Sequence, residues 1–270
     1  MELSQKEKIR LKNKYGEWAM VTGASSGIGL ELTRQLASAG FNLIINSRQL
    51  DKLQAVEKEL KSNFSIEIIV VDADVSENAG VEKLIHQTKG LKVGLIIHSA
   101  GYGTSGFYVD IPLASEINML RVNCEAVLSL THYFGNQFKQ KNRGGIILLS
   151  SLVAFQGVPY SANYAASKAY IQSFAEALTI ELKPFGIDVL AVAPGPVDSG
   201  FGQRANMKMG KALKPSQLGV PILTALGKQS NVIPGTLSKI LVYSLGILPR
   251  WAKVKVMKKV MDGFTNHHRQ

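Results

Sequence analysis

Six short apolar runs recur along the chain: WAMVT (18–22), FNLIIN (41–46), IEIIVV (66–71), VGLIIH (93–98), GIILLS (145–150) and IDVLAVA (187–193). Each is rich in branched side chains and nearly free of the polar alternation that marks a strand with one wet face. Runs of this kind read as strands of a parallel sheet covered on both sides. Between them lie longer amphipathic stretches, GLELTRQLASAG, DKLQAVEKELKS, ENAGVEKLIHQT and INMLRVNCEAVLSLTHYFGNQF, and a further one that begins near Tyr164. Their apolar positions follow a helical period. Strand and helix in regular alternation with short connections predict one α/β domain with a doubly wound parallel sheet over residues 1–270. After Pro194 the alternation weakens. Residues 195–230 read as a mobile loop region beside a substrate, and 236–270 as a basic helical extension of a core spanning 15–235.

Composition sets outer limits. At 46% hydrophobic and 19% charged residues, the chain can bury a large core. The lone cysteine, Cys124, has no internal disulfide partner, falls in a helical stretch and reads as core filler, which fits a reducing, cytoplasmic compartment. The polar opening MELSQKEKIRLKNK resembles neither a secretory signal nor an anchor. The late apolar run Leu237–Leu248 contains Lys239 and is shorter than the ~20 residues a spanning helix needs.

Charge alters the picture more. The net charge is +11, yet residues 1–198 carry equal numbers of acids and bases. The whole excess lies in residues 199–270, where Asp262 is the sole acid. In WAKVKVMKKVMDGF a helix would gather Lys255, Lys258 and Lys259 on one side. Trp251, Val254, Met257, Val260 and Met261 would fall mostly on the other, with Lys253 intruding. Such a face either packs on the domain or a sister subunit, or rests peripherally on an anionic membrane.

The first strand runs into TGASSGIG (22–29) and then a helix. A glycine-rich turn between strand and helix lets backbone N–H groups approach a pyrophosphate at the positive end of the helix. Here Gly23, Gly27 and Gly29 are spaced differently from the common G-x-G-x-x-G pattern, and Ser25, Ser26 and Ile28 fill the turn. At the end of the second strand, IINSRQ lacks the carboxylate that would hold an NAD ribose and has Arg48, which suits the 2′-phosphate of NADP. Further on, YAASK places Tyr164 and Lys168 one helical turn apart on one face.

TGASSGIG, the AG of HSAG (98–101), Ser151, YAASK and PGPV (194–197), in this order, resemble the short-chain dehydrogenase/reductase family in its short single-domain branch. The likeness runs from about Trp18 to Ile233. It implies a Rossmann-type sheet binding NADP(H) in preference to NAD(H), and a carbonyl–alcohol oxidoreductase. The resemblance further implies a catalytic set of Asn123, Ser151, Tyr164 and Lys168. Lys168 would also hold the nicotinamide ribose, and Asn123 would position a water in a proton relay. Asp74 would meet the adenine. Ala100, Gly101, Pro194, Gly195 and Val197 complete the cofactor site, and Ser199, where the family commonly has Thr, would bond the carboxamide.

The residue types suit the chemistry. Hydride transfer to a carbonyl leaves negative charge on oxygen, which must be protonated as it forms. A phenol is a weak acid near pH 7 (pKa about 10), and a cation at i+4 is expected to lower its pKa toward the useful range. The Ser151 hydroxyl can hold the developing charge. His98 and Ser99 stand where the family usually has two asparagines, which puts local bracing of the sheet in question. No His/Cys/Asp cluster suggests a metal. Leu152, Val153, Phe155, Phe201, Met207 and Met209 flank the expected pocket and favour an apolar carbonyl substrate. A homo-oligomer, dimer or tetramer, is expected, and no nucleic-acid partner. The competing reading is a catalytically silent nucleotide-binding protein on the same fold, which would have no need of all four catalytic residues.

Overall fold

The structure, a computed structural model, describes residues 1–210 and 212–265. Lys211 and residues 266–270, parts of the expected loop region and basic extension, lie outside the described residues. All six expected strands form: β1 (Trp18–Thr22), β2 (Asn42–Ser47), β3 (Ile68–Asp72), β4 (Val93–His98), β5 (Gly144–Leu149) and β6 (Ile187–Val192). A two-residue strand, β7 (Asn231–Val232), joins the edge, and the parallel order is β3-β2-β1-β4-β5-β6-β7.

The unbroken apolar runs are explained by helices on both sides. Alternate residues Ala19, Val21, Leu43, Ile45, Leu95 and Ile97 pack with α2 (Gly27–Ser38), α3 (Leu50–Asn63) and α9 (Gly219–Ala225). Their neighbours Met20, Ile44, Ile96, Ile146 and Val189 pack on the opposite face. That face is covered by α4 (Asn78–Gln87), α6 (Ala126–Lys141) and α7 (Ala162–Glu181). Each fully buried Ile or Leu contributes about 1.5–3 kcal/mol against exposure.

The polar N-terminus is part of this body. Ser4 accepts from the Glu7 backbone N–H and starts α1 (Gln5–Tyr15). Leu3, Leu11 and Tyr15 enter the core, so packing begins ahead of residue 15. The Tyr15 hydroxyl donates to Asp188 at 2.7 Å, and Arg10 donates to the carbonyls of Leu226 and Leu223. Ser4-x-x-Glu7 is a helix-start signature the polar composition conceals.

The stretch read as one helix over 117–138 is two: α5 (Leu113–Leu120) and α6, joined by a π-helical turn at Arg121–Glu125. Strand order reverses between β1 and β4, which opens a crevice at the carboxyl ends of the sheet. Beyond β6, the short α8 (Phe201–Arg204) precedes α9. Two helices, α10 (Thr236–Gly246) and α11 (Arg250–Thr265), follow β7.

Candidate active site

One cleft of about 1120 Å³ occupies the crevice. At one end it is walled by the turn between β1 and α2, where Gly23 (φ 68°) and Gly27 (φ 59°) adopt the left-handed conformation that favours glycine. A Cβ at Gly23 would lie 2.7 Å from the Ala100 nitrogen, and one at Gly29 would lie 2.2 Å from the Gly23 oxygen. A Cβ on Gly27 would meet Ser199 at 2.7 Å. Ser26 caps α2 with extended backbone and no side-chain bond, and Gly27 and Ile28 of the helix's first turn line the cleft. A glycine-rich cradle at a helix N-terminus fits a pyrophosphate. Ser25, Ser26 and Ile28 line it, and Gly29 lies behind as a packing residue.

Beside this cradle Arg48 and Asp74 both line the cleft wall and face each other, Nη1 to Oδ2 at 3.4 Å. Burial pushes the Asp74 carboxyl up, but the Ser76 N–H at 2.9 Å, the Ser76 hydroxyl and Arg48 together hold it below the ordinary range. Lys52 on α3, unremarked in the sequence, adds a second cation to this wall.

The other end carries the residues expected to act as acid and base. Ser151 follows β5 by two residues and caps the turn Leu152–Phe155, accepting from the Val153 N–H at 3.4 Å. Tyr164 and Lys168 lie on the first turns of α7, both buried and both lining the cleft. The Ser151 hydroxyl bonds the phenol and draws its pKa down, but burial is the stronger influence and the net value is about 12. Lys168 donates from Nζ to the Leu149 carbonyl at 2.7 Å, and burial brings its pKa to about 8. The ammonium therefore stays largely protonated at neutral pH. The expected lowering of the phenol's pKa by Lys168 is outweighed by burial: the ammonium bonds the Leu149 carbonyl, 5.8 Å from the centre of the Tyr164 ring, and the phenol stays neutral. Phe201 packs on the Tyr164 ring with centroids 5.2 Å apart. Gly103 makes room for both rings; a Cβ there would sit 2.8 Å from Phe201 and 3.1 Å from Tyr164.

Asn123 stands apart from the other three. It sits in the π turn, buried, and does not line the cleft. Its Oδ1 accepts from the Tyr102 N–H at 3.1 Å, while Nδ2 donates to the Tyr102 carbonyl and to Ser167 Oγ. Ser167 in turn donates to the Tyr164 carbonyl at 2.7 Å. Asn123 thus ties the loop after β4 to the helix that carries Tyr164. A π turn widens a helix by one residue and often marks a functional position. Cys124 beside it is half-buried against α7.

Ala100, Gly101, Pro194, Gly195, Val197 and Ser199 all line the cleft. His98 is buried, bonded to Thr131 at 3.3 Å and kept neutral, its pKa pushed down to about 3 by burial. Bracing comes instead from Thr22, whose hydroxyl accepts from the N–H groups of Ser99 and Ala100 at 3.2 Å. Leu152, Val153, Phe201, Met207 and Met209 line the substrate end, and Phe155 does not. In its place stands a wall the sequence concealed, formed by Leu241, Leu245, Met257, Val260 and Phe264 of α10 and α11.

The sequence model of the short chain dehydrogenase family matches residues 17–210. The chain belongs to the short-chain dehydrogenase family. It is 29% identical over 238 residues to a 7beta-hydroxysteroid dehydrogenase of Collinsella aerofaciens, covering 86% of this chain and 90% of that protein. It is 38% identical over 190 residues to a very-long-chain 3-oxoacyl-CoA reductase-like protein of Arabidopsis thaliana, covering 68% of this chain and 61% of that one. A solved structure described for 7beta-hydroxysteroid dehydrogenase stereoselectivity superposes with a TM-score of 0.85 at 27% identity, over 92% of this chain and 98% of the other. A short-chain dehydrogenase of Sphingobium yanoikuyae in complex with NADPH shares the fold, with a TM-score of 0.80 at 24% identity and 89% and 95% coverage.

This short-chain dehydrogenase is an oxidoreductase, of a family that binds nicotinamide cofactors. The relatives' names, dehydrogenase and reductase, set aside the silent nucleotide-binding reading.

Proposed function

We propose that this enzyme is an NADP(H)-dependent reductase or dehydrogenase that interconverts a bulky apolar ketone and its secondary alcohol. One observation carries the reading: the buried phenol of Tyr164, bonded by Ser151, shares one cleft with Lys168 and the glycine cradle. The glycine turn, Gly101 and the Pro194–Val197 segment would hold the dinucleotide, with Ser199 reaching the carboxamide. When bound, the nicotinamide supplies or takes the hydride.

The chain's own residues handle the proton and the charge. The Ser151 hydroxyl donates to the carbonyl oxygen and steadies the charge that develops there. Tyr164, held neutral by burial, gives its proton to the same oxygen in reduction and takes it back in oxidation. The protonated Lys168 balances the tyrosinate so formed, since a nearby cation favours the charged form of a phenol. Asn123 acts as a positioning residue through Ser167 and Tyr102.

Preference for NADP(H) is supported by two cations, Arg48 and Lys52, at the adenosine end. The apolar walls, and relatives named for hydroxysteroids and very-long-chain 3-oxoacyl-CoA, support a bulky apolar carbonyl as substrate. Exposed Leu113, Ile117, Leu120, Leu128 and Tyr170 on α5, α6 and α7 offer an apolar face for a homo-oligomer.

The test is turnover of a carbonyl panel, from small polar ketones to steroid-sized and long-chain ones, with NADPH and with NADH. Faster reduction of the bulky apolar members with NADPH is expected. Preference for polar substrates, or for NADH, would overturn the corresponding part of the reading.

A further inference from the structure

Helix α10, TLSKILVYSLG, has Lys239 as its single charge and is apolar on opposite sides. One side, Leu241, Val242 and Leu245, continued by Leu248, lines the cleft. The other side, Leu237, Ile240 and Tyr243, continues into Ile247 and Trp251. These five are each 58–87% exposed. A contiguous apolar face left open to water is normally covered by other protein or by lipid. Ser238 is the one residue of α10 that is buried.

Helix α11 divides differently. Val254 packs toward Gly157, Met257 joins the cluster of Val158, Ala165 and Met261, and the Lys258 ammonium lies 5.7 Å from the centre of the Tyr160 ring. That side of the helix is docked on the domain. Trp251 and Lys255 face outward, with the ammonium over the indole at 5.1 Å. Lys239, Arg250, Lys255 and Lys259 are exposed around the apolar patch. Leu241, Val256 and Val260 line the cleft and are also 38–43% exposed, so the patch runs into the rim of the cleft.

We infer that the outer face of α10 and the start of α11 dock on an anionic lipid bilayer. The charge distribution selects this occupant: residues 1–198 are neutral overall, and the +11 excess falls in the segment that includes the patch. Exposed apolar side chains enter the acyl boundary while the surrounding Lys and Arg side chains meet lipid phosphates, as in interfacial amphipathic helices. The attachment is peripheral, because no helix among the described residues is long and apolar enough to span. A docked enzyme would bring the cleft's rim to the lipid surface, where bulky apolar ketones partition. That consequence rests on the substrate proposed above, whereas docking itself does not.

The test uses the full chain with phosphatidylglycerol vesicles and with phosphatidylcholine vesicles. Pelleting is read together with Trp emission. Trp251 is exposed and Trp18, the other indole, is buried, so a blue shift reports the patch. Pelleting and a blue shift with the anionic vesicles alone are expected, both fading as salt screens the lysines. An Ile240→Ser/Tyr243→Ser/Ile247→Ser variant, with unchanged circular dichroism and melting, should bind at least about tenfold more weakly. A Lys239→Gln/Lys255→Gln variant should lose about fivefold per charge. Absence of pelleting, or equal pelleting with both vesicle types, would overturn the inference. So would a blue shift without vesicles accompanied by a doubled mass in light scattering, which would assign the patch to a second copy of the chain. None of these readings needs turnover, so docking and substrate class fail independently.

Discussion

The two ends of the cleft are built from different materials. The end proposed for the cofactor's pyrophosphate is largely backbone: Gly23 and Gly27 in left-handed turns, Gly29 against the Gly23 oxygen, and the start of α2, where Ser26 makes no side-chain cap bond. The opposite end is side chain, with Phe201 of α8 against the Tyr164 ring and apolar groups of α10 and α11 lining the same cleft. A site made by close backbone approach tolerates few residue types at fixed spacing. An apolar wall requires only volume, which many residues at many positions supply.

That contrast sets what could be read from sequence. TGASSGIG, Ser151 and YAASK announce themselves because each position has a narrow chemical requirement. The strands announce themselves through unbroken apolar runs buried on both faces. The α10–α11 wall does not, since its apolar residues carry a helical period whether they face a core, a ligand or lipid. The π turn at Asn123 was hidden for a related reason: one extra residue in a helix leaves no compositional mark. Phe155 was misplaced because an aromatic near an active serine suggests a pocket, yet the local 3₁₀ turn directs Leu152 and Val153 there instead. The tyrosine's pKa was misjudged because spacing shows that Lys168 is near, and only coordinates show that its ammonium bonds Leu149.

The comparison can be broken or sharpened by substitution. The largest effect belongs to Tyr164→Phe, which keeps the ring against Phe201 but removes the proton. Steady-state turnover should fall about 10²–10⁴-fold while NADPH binding by fluorescence titration is retained. Undiminished turnover would remove Tyr164 from the mechanism. At the cofactor end, Arg48→Ala should weaken NADPH about tenfold to a hundredfold and leave NADH nearly unchanged, as expected for loss of a charge-assisted contact. Equal losses for both cofactors would show that Arg48 does not discriminate.

A side-chain wall should respond more gently. Met257→Ala is expected to raise KM for a steroid-sized ketone by about tenfold or less, with KM for a small ketone and the NADPH affinity unmoved. A matching loss for both substrates would mean that α11 serves the fold and not the pocket.

His98 gives no effect on turnover near neutral pH, only one on stability in acid. Its pKa lies near 3 in the folded protein against an ordinary 6.5. Between those values the unfolded chain binds a proton that the folded chain refuses, so this residue costs stability progressively as pH falls below about 6.5. His98→Asn should flatten that part of the pH–stability curve in denaturant titrations. An unchanged slope would show that His98 does not control it.

The central claim is that a neutral, buried Tyr164 delivers the proton beside a charged Lys168. Single-turnover NADPH oxidation with a bulky apolar ketone, followed in H₂O and D₂O on either side of pH 8, tests it most directly. The rate should be slower in D₂O and should fall as pH rises through about 8, where Lys168 loses its charge, while the phenol, near 12, remains protonated. A rate equal in both solvents and level across that range, under conditions where hydride transfer is limiting, would contradict the account.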